Sequence, residues 1–87
     1  MARTTRLTNK DYNKAVAKID RWYTWDSRHI NDSSVYWWVG TDHIGIIKPK
    51  RYWMAIVISK NDKQVWWYCE SHSELNKVLH MIEFMCQ

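Results

Sequence analysis

Four histidines and two cysteines are the side chains of this 87-residue chain best suited to holding a metal or moving a proton. Cys69-Glu-Ser-His72, with His80 and Cys86 further on, has the composition of a zinc ligand set. Its spacing does not suit one. Positions 80 and 86 fall on an expected helix about 240° apart around its axis, so they do not face a common ion, and Cys69 is expected to point into a sheet. Asp42-His43 has the form of a carboxylate-oriented general base placed in a turn. No nucleophile, glycine-rich phosphate loop or second carboxylate accompanies it. The expectation is a protein that is not an enzyme, with no catalytic residues, no metal and no cofactor, in which His43 is an exposed turn histidine. Cys69 and Cys86 are then small buried hydrophobes.

The unusual feature of the composition is aromatic: seven Trp and five Tyr against one Phe. Many of these rings lie in the stretch Arg51 to Glu70, two apolar runs joined by Asn61-Asp62, which predicts a β-hairpin. Folding about Asn61-Asp62 sets Ile58 opposite Val65, Ile56 opposite Trp67 and Met54 opposite Cys69 on one face. The other face then pairs Val57 with Trp66, Ala55 with Tyr68 and Trp53 with Glu70. Both faces are apolar, whereas a sheet with one solvated face should alternate apolar with polar. Something must therefore cover the second face.

The elements that position this hairpin follow from periodicity. Residues 1–7 carry Arg3 and Arg6 and predict a flexible basic arm ahead of a single domain over 8–87. Thr8 with Asp11 resembles a capping box and opens a helix expected to reach about Trp25, with Tyr12, Ala15, Val16, Ile19, Trp22 and Tyr23 on its apolar stripe. Lys10, Lys14, Lys18, Arg21 and Trp25 form the opposite stripe, basic and ending in an aromatic. Asp26 to Ser34 predicts a loop and Val35 to Val39 a strand. Gly40-Thr-Asp-His43 follows as a turn, then a short strand at Ile44 to Ile47 weakened by Gly45, and a Lys48-Pro-Lys50 turn. Ser71 and Glu74 cap a final helix with Leu75, Val78, Leu79, Ile82, Met85 and Cys86 inward.

The fold expected is an α+β two-layer sandwich, a helix, a three- or four-stranded antiparallel meander and a second helix, with both helices on one sheet face. The core then draws on the helix stripes with Val35, Trp37, Val39, Tyr52, Met54, Ile56, Ile58, Val65 and Trp67. Tyr36, Trp38, Trp53, Trp66 and Tyr68 gather on the open face as the candidate partner-binding surface. At roughly 150–250 Å² per ring, five partly exposed rings exceed the ~300–600 Å² of the largest apolar patch on an ordinary monomer. The loops at 26–34 and 40–50, or a second copy of the chain, are the alternative covers.

Charge narrows the partner only slightly. Thirteen Lys and Arg against nine acids give +4, compatible with nucleic acid without implying it. No apolar run approaches the roughly 20 residues of a membrane span. The N-terminal residues lack a hydrophobic signal region, so the expectation is a cytoplasmic protein with no membrane partner. Four phosphate contacts from the basic stripe would give a salt slope of about −3.6, losing roughly a hundredfold in affinity between ~50 and ~200 mM salt. An aromatic face has more to offer, since truncating a central interface Trp can cost ~2 kcal/mol or more.

The order helix, sheet, helix is similar to that of double-stranded RNA-binding domains, but the last helix opens Ser71-His72-Ser73-Glu74 rather than with a basic cluster. It is similar also to small ribonuclease toxins of the HicA type, whose Gly-Ser-His strand motif is loosely echoed by Gly40-Thr-Asp-His43. Neither resemblance assigns a family. In size and sticky sheet the chain looks like small phage-encoded inhibitors of host or defence machinery, anti-CRISPR proteins among them. The leading expectation is accordingly a non-catalytic protein that occupies a partner protein through its aromatic sheet face. A direct nucleic-acid binder, using base stacking and the basic stripe, is the alternative, and a HicA-like nuclease the third.

Overall fold

The computed structural model describes residues 7–51 and 53–86. Helix α1 (Asn9–Trp22) leads into five strands, β1 (Ser27–Ile30), β2 (Ser34–Val39), β3 (Asp42–Lys50), β4 (Trp53–Lys60) and β5 (Lys63–Cys69), and helix α2 (His72–Met85) closes the chain. The strands pair in sequence order as one antiparallel meander. Both helices pack on the same face, as the two amphipathic stripes require, and the architecture is α+β with five strands rather than three or four.

The added strand is β1, within the stretch expected to be a loop. Ser27-Arg-His-Ile30 is exposed at every position. Solvent on both sides removes the period-2 signal by which a strand is recognised. A tight turn at Asp32-Ser33 returns the chain, with the Asn31 N–H donating to the Ser34 carbonyl at 2.8 Å. The turn expected over 40–43 is shorter than anticipated. Gly40 alone has positive φ, at 61°, as a two-residue turn with glycine first requires, and Asp42 and His43 already belong to β3. Lys48-Pro-Lys50 is likewise strand rather than turn. The pairing of β3 with β4 shifts between Ile47 and Lys50, an irregularity that accommodates Pro49, which has no N–H to donate.

The hairpin register agrees with expectation: Met54 faces Cys69, Ala55 Tyr68, Ile56 Trp67, Val57 Trp66 and Ile58 Val65. Its turn residues both take positive φ, 55° at Asn61 and 66° at Asp62. Asn tolerates that conformation, Asp less well, and glycine without penalty. Asp62→Gly should therefore stabilise the protein by about 0.5–1 kcal/mol, measured as a higher urea midpoint at unchanged slope.

One cross-strand row, Val35, Ile46, Ile56 and Trp67, and a second, Trp37, Ile44, Ile58 and Val65, line the helix side of the sheet. With Met54 and Cys69 they meet Tyr12, Ala15 and Ile19 of α1 and Leu75, Val78, Leu79 and Ile82 of α2. Leu7, assigned above to a flexible arm, is 2% exposed and belongs to this core. Residues 1–6 of that arm and the expected core residue Tyr52 lie outside the described residues. Val65 and Met85 are not core: both are exposed, because β5 is an edge strand only partly covered by α2, and Met85 lies in the last turn of that helix. Trp67 is half-buried for the same reason.

Two polar contacts join the layers. The Asp20 carboxylate accepts the indole N–H of the fully buried Trp37 at 2.9 Å and pairs with Arg28. Asp11 closes a capping box with Thr8 and reaches His72 at 3.1 Å, linking the starts of the two helices. The Trp37 hydrogen bond, reinforced by Arg28 against the opposing effect of burial, holds Asp20 below the usual carboxylate range. At Asp11 burial again pushes upward, and the Thr8 and His72 contacts outweigh it. A depressed folded-state pKa contributes stability that is present above the unfolded value, 3.8, and is lost as pH falls through the folded value. Asp20→Ala should cost about 1–2 kcal/mol at neutral pH by orphaning the Trp37 N–H. Urea melts at pH 7 and pH 3 should show the variant's deficit shrinking in acid.

Candidate functional site: the open aromatic face

The side of the sheet away from the helices is built from three cross-strand rows. The first runs His29, Tyr36, Gly45, Val57, Trp66, the second Ser27, Trp38, His43, Ser59, Gln64, and the third Ser34, Ile47, Ala55, Tyr68. None of these positions is Asp, Glu, Lys or Arg. Among the described residues, the formal charge paired into this face at its rim is Lys50, opposite Trp53.

The floor and the rings divide by size. Gly45, Ala55 and Val57 are buried although they face away from the helices, because the larger side chains around them lie across them. The Tyr36 ring rests on Gly45 so closely that a β-carbon there would come within 2.3 Å of it, and within 2.8 Å of Val57. The glycine that weakened the expectation of a strand is thus the seat of an aromatic ring. Its φ is not positive, and its role is space.

All five expected rings do lie on this face, in two groups. Trp38 packs against His43 with centroids 4.2 Å apart and planes tilted by 37°, and Tyr36 approaches the same imidazole at 5.9 Å. Across the floor, Tyr68 meets Trp53 edge-on at 5.3 Å and lies parallel to Trp66 at 6.2 Å. The Trp66 indole N–H donates to the Gln64 side-chain oxygen at 3.3 Å. Tyr36, Trp38 and Trp53 are half-buried, and Trp66 and Tyr68 are exposed. The segments 26–34 and 40–50 do not fold over the rings. They are part of the sheet itself, and among the described residues nothing covers this face.

His43 is the member the sequence reading misplaced. It sits in β3, half-buried beneath Trp38, and its buried Nδ1 has no hydrogen-bond partner. Its alternation with Ile44 and Ile46, once the strand is started at Asp42, is the signal that could have put it on this face. Asp42 is turned from it and accepts the Asn61 backbone N–H at 3.1 Å. The two do not form an acid–base pair.

The basic stripe is elsewhere. Lys10, Lys14 and Arg21 are exposed on the side of α1 opposite Tyr12, Ala15 and Ile19, and so point away from the sheet. Lys18 flanks them. Trp25 is not part of the stripe: α1 ends at Trp22, and Trp25 folds back against the core, donating its indole N–H to the Asp20 carbonyl at 3.2 Å with Arg28 above its ring. The aromatic face and this basic stripe are therefore on opposite sides of the molecule, separated by the sheet and the helix layer.

The remaining chemistry-bearing groups are dispersed. A cavity of about 200 Å³ between the ends of the helices and the sheet is lined in part by Tyr23, Asp42, Lys60 and Cys86. Burial pushes the Cys86 thiol up against the opposing charge of Lys60, and pushes Cys69 up to about 11, so neither is activated as a thiolate. His72 is engaged with Asp11, and His80 is largely exposed beside Glu83. Among the described residues no group of three or more His, Cys, Asp or Glu side chains is placed to hold a metal, and no helix is long and apolar enough to cross a membrane. Comparison with known protein families, with curated proteins and with solved structures finds no match to this chain.

Proposed function

We propose that this protein is a non-catalytic binding domain that acts by occupying a partner protein with its open sheet face, in the style of compact phage-encoded inhibitors. The observation that carries the reading is the aromatic surface of Tyr36, Trp38, His43, Trp53, Trp66 and Tyr68, whose cross-strand rows hold no Asp, Glu, Lys or Arg and which is uncovered among the described residues. Trp and Tyr supply most hot-spot energy in protein interfaces, and loss of charge marks interface centres. Partly stacked rings are also held before binding, which lowers the entropy cost of docking. A nucleic-acid strand lying on these rings would find almost no cation beside them. Phosphate neutralisation supplies most non-specific affinity for nucleic acid, and here the basic stripe of α1 lies behind the sheet. That separation weighs against a binder combining both surfaces.

A binding titration tests the reading, with wild type, a Trp38→Ala/Trp53→Ala variant and a Lys14→Glu/Lys18→Glu/Arg21→Glu variant. Each is offered lysate proteins and single- and double-stranded oligonucleotides at two salt concentrations. The expected result is capture of a protein with little salt dependence, weakened at least ~30-fold by the ring truncations and unchanged by charge reversal. Oligonucleotide binding lost on charge reversal, with no protein retained, would overturn it.

A further inference from the structure

We infer that β5 is a homodimerisation edge, and that two copies pair antiparallel about Trp66 to make one continuous ten-stranded sheet. The argument begins with the hairpin. Lys60 and Lys63 flank a two-residue turn, so they exchange hydrogen bonds, and alternation along an antiparallel ladder gives the same inward bonding to residues 65, 67 and 69. The N–H and C=O groups of Gln64, Trp66 and Tyr68 then point outward, away from β4. Among the described residues none of them is engaged by another backbone group.

Those three residues are symmetric about Trp66. A twofold axis through it brings Trp66 opposite its own copy and Gln64 opposite the second copy's Tyr68, which satisfies all three outward pairs in both chains at once. The side chains suit the same register. Within the paired span of 63–69, Lys63 faces Cys69 rather than another lysine and Val65 faces Trp67, so no like charges are paired inside the ladder; Asp62 and Glu70 fall level with each other only beyond its ends.

An open edge of this kind is ordinarily defended by shortness, charge, proline or a bulge. The other edge is: β1 has four residues, and one of its two outward positions is Arg28. β5 has seven residues, a regular register with β4 and no such device after Lys63. It is also apolar on both sides, with Val65 49%, Trp66 38% and Tyr68 59% exposed. Beside it runs a groove of about 330 Å³ between β5 and α2, lined by Trp67, Tyr68, Lys77 and Met81 among others. Trp66 and Tyr68 alone leave on the order of 200 Å² uncovered. Val65, Met81 and the backbone edge bring the total toward the low end of stable interfaces, ~600 Å² per partner. The self-complementary register selects a second copy over an unrelated strand. The pairing does not rest on the function proposed above, but it would set the Trp53, Trp66 and Tyr68 clusters of both chains side by side on one surface.

Sedimentation and amide hydrogen exchange on the full chain test this. At ~100 µM, well above the roughly micromolar Kd expected of a small interface, wild type should sediment at twice the mass of one chain. The amides of Gln64, Trp66 and Tyr68 should exchange about 5- to 10-fold more slowly there than at ~1 µM, as the monomer fraction falls. Trp66→Lys and Gln64→Pro should give monomers, because both positions face the partner, while Trp38→Ala/Trp53→Ala should remain dimeric. A wild-type monomer at ~100 µM would overturn the inference, as would a dimer in which those three amides exchange freely. So would a dimer broken by Trp38→Ala/Trp53→Ala yet kept by Trp66→Lys, which would mean face-to-face pairing. If either edge variant fails to fold, exchange in the wild type decides.

Discussion

Trp37→Ala is expected to destabilise the protein by about 3–5 kcal/mol, a large share of the roughly 5–15 kcal/mol by which a domain is ordinarily stable. Trp37 is 0% exposed and occupies the middle of the helix side of β2, between the rows contributed by β1 and β3. Its removal leaves a cavity that Ile44, Ile58 and Ile19 are too well packed to fill. It also deprives Asp20 of its indole donor, which links β2 to the end of α1. Trp38→Ala, one residue on, opens no interior cavity, because that ring lies on the other face against His43. Its cost should be about 1–2 kcal/mol, the loss of a ring contact and partial burial. Urea denaturation of both variants makes the comparison. Equal losses would mean that the two faces of β2 have been assigned wrongly, since one residue of slip exchanges them.

Gly45→Val is expected to cost about 3 kcal/mol, near the top of the usual range for overpacking. The new β-carbon alone would lie 2.3 Å from the Tyr36 ring and 2.8 Å from Val57, so both must move before the two further methyl groups are placed. Valine has the higher strand propensity, and on backbone grounds it should help. Stability should instead fall, and Tyr36 should be displaced from the floor of the aromatic face. Pairing Gly45→Val with Tyr36→Ala tests the cause: the double variant should recover part of the loss, an interaction energy of about 1 kcal/mol or more by double-mutant cycle. A Gly45→Val variant as stable as wild type would show that the ring does not depend on the glycine. The same displacement should weaken partner binding in the titration described above, linking the strand's smallest residue to the surface proposed to act.

Much of the architecture was legible without coordinates, for identifiable reasons. Both helices announced themselves through capping residues and a 3.6-residue stripe, at Thr8 with Asp11 and at Ser71 with Glu74. The hairpin register followed from the two residues of its turn and from strict alternation on either side. Alternation also placed Tyr36, Trp38, Trp53, Trp66 and Tyr68 on one face, because side-chain direction in a strand depends only on odd and even. Local chemistry sufficed wherever the signal was local.

What the chain order could not supply was neighbourhood. β1 has no pattern because water lies on both sides of it, and it is a strand only because β2 offers a partner. β3 looked interrupted by Gly45 and Pro49, yet it lies between two strands that place a ring over the glycine and a register shift beside the proline. His43 left its expected turn for the same reason, and Trp25 left its expected stripe once α1 ended at Trp22 and the core took its ring. Val65 and Met85 had apolar identity but no covering layer, since burial depends on what the rest of the chain puts above a residue. Composition and periodicity thus determined two helices, a hairpin and a surplus of rings on one face. The tertiary structure alone decided what stands beside those rings, with His29, Gly45 and His43 brought among them by β1 and β3 and Lys50 set at the rim opposite Trp53, because strand neighbours are settled by long-range contacts.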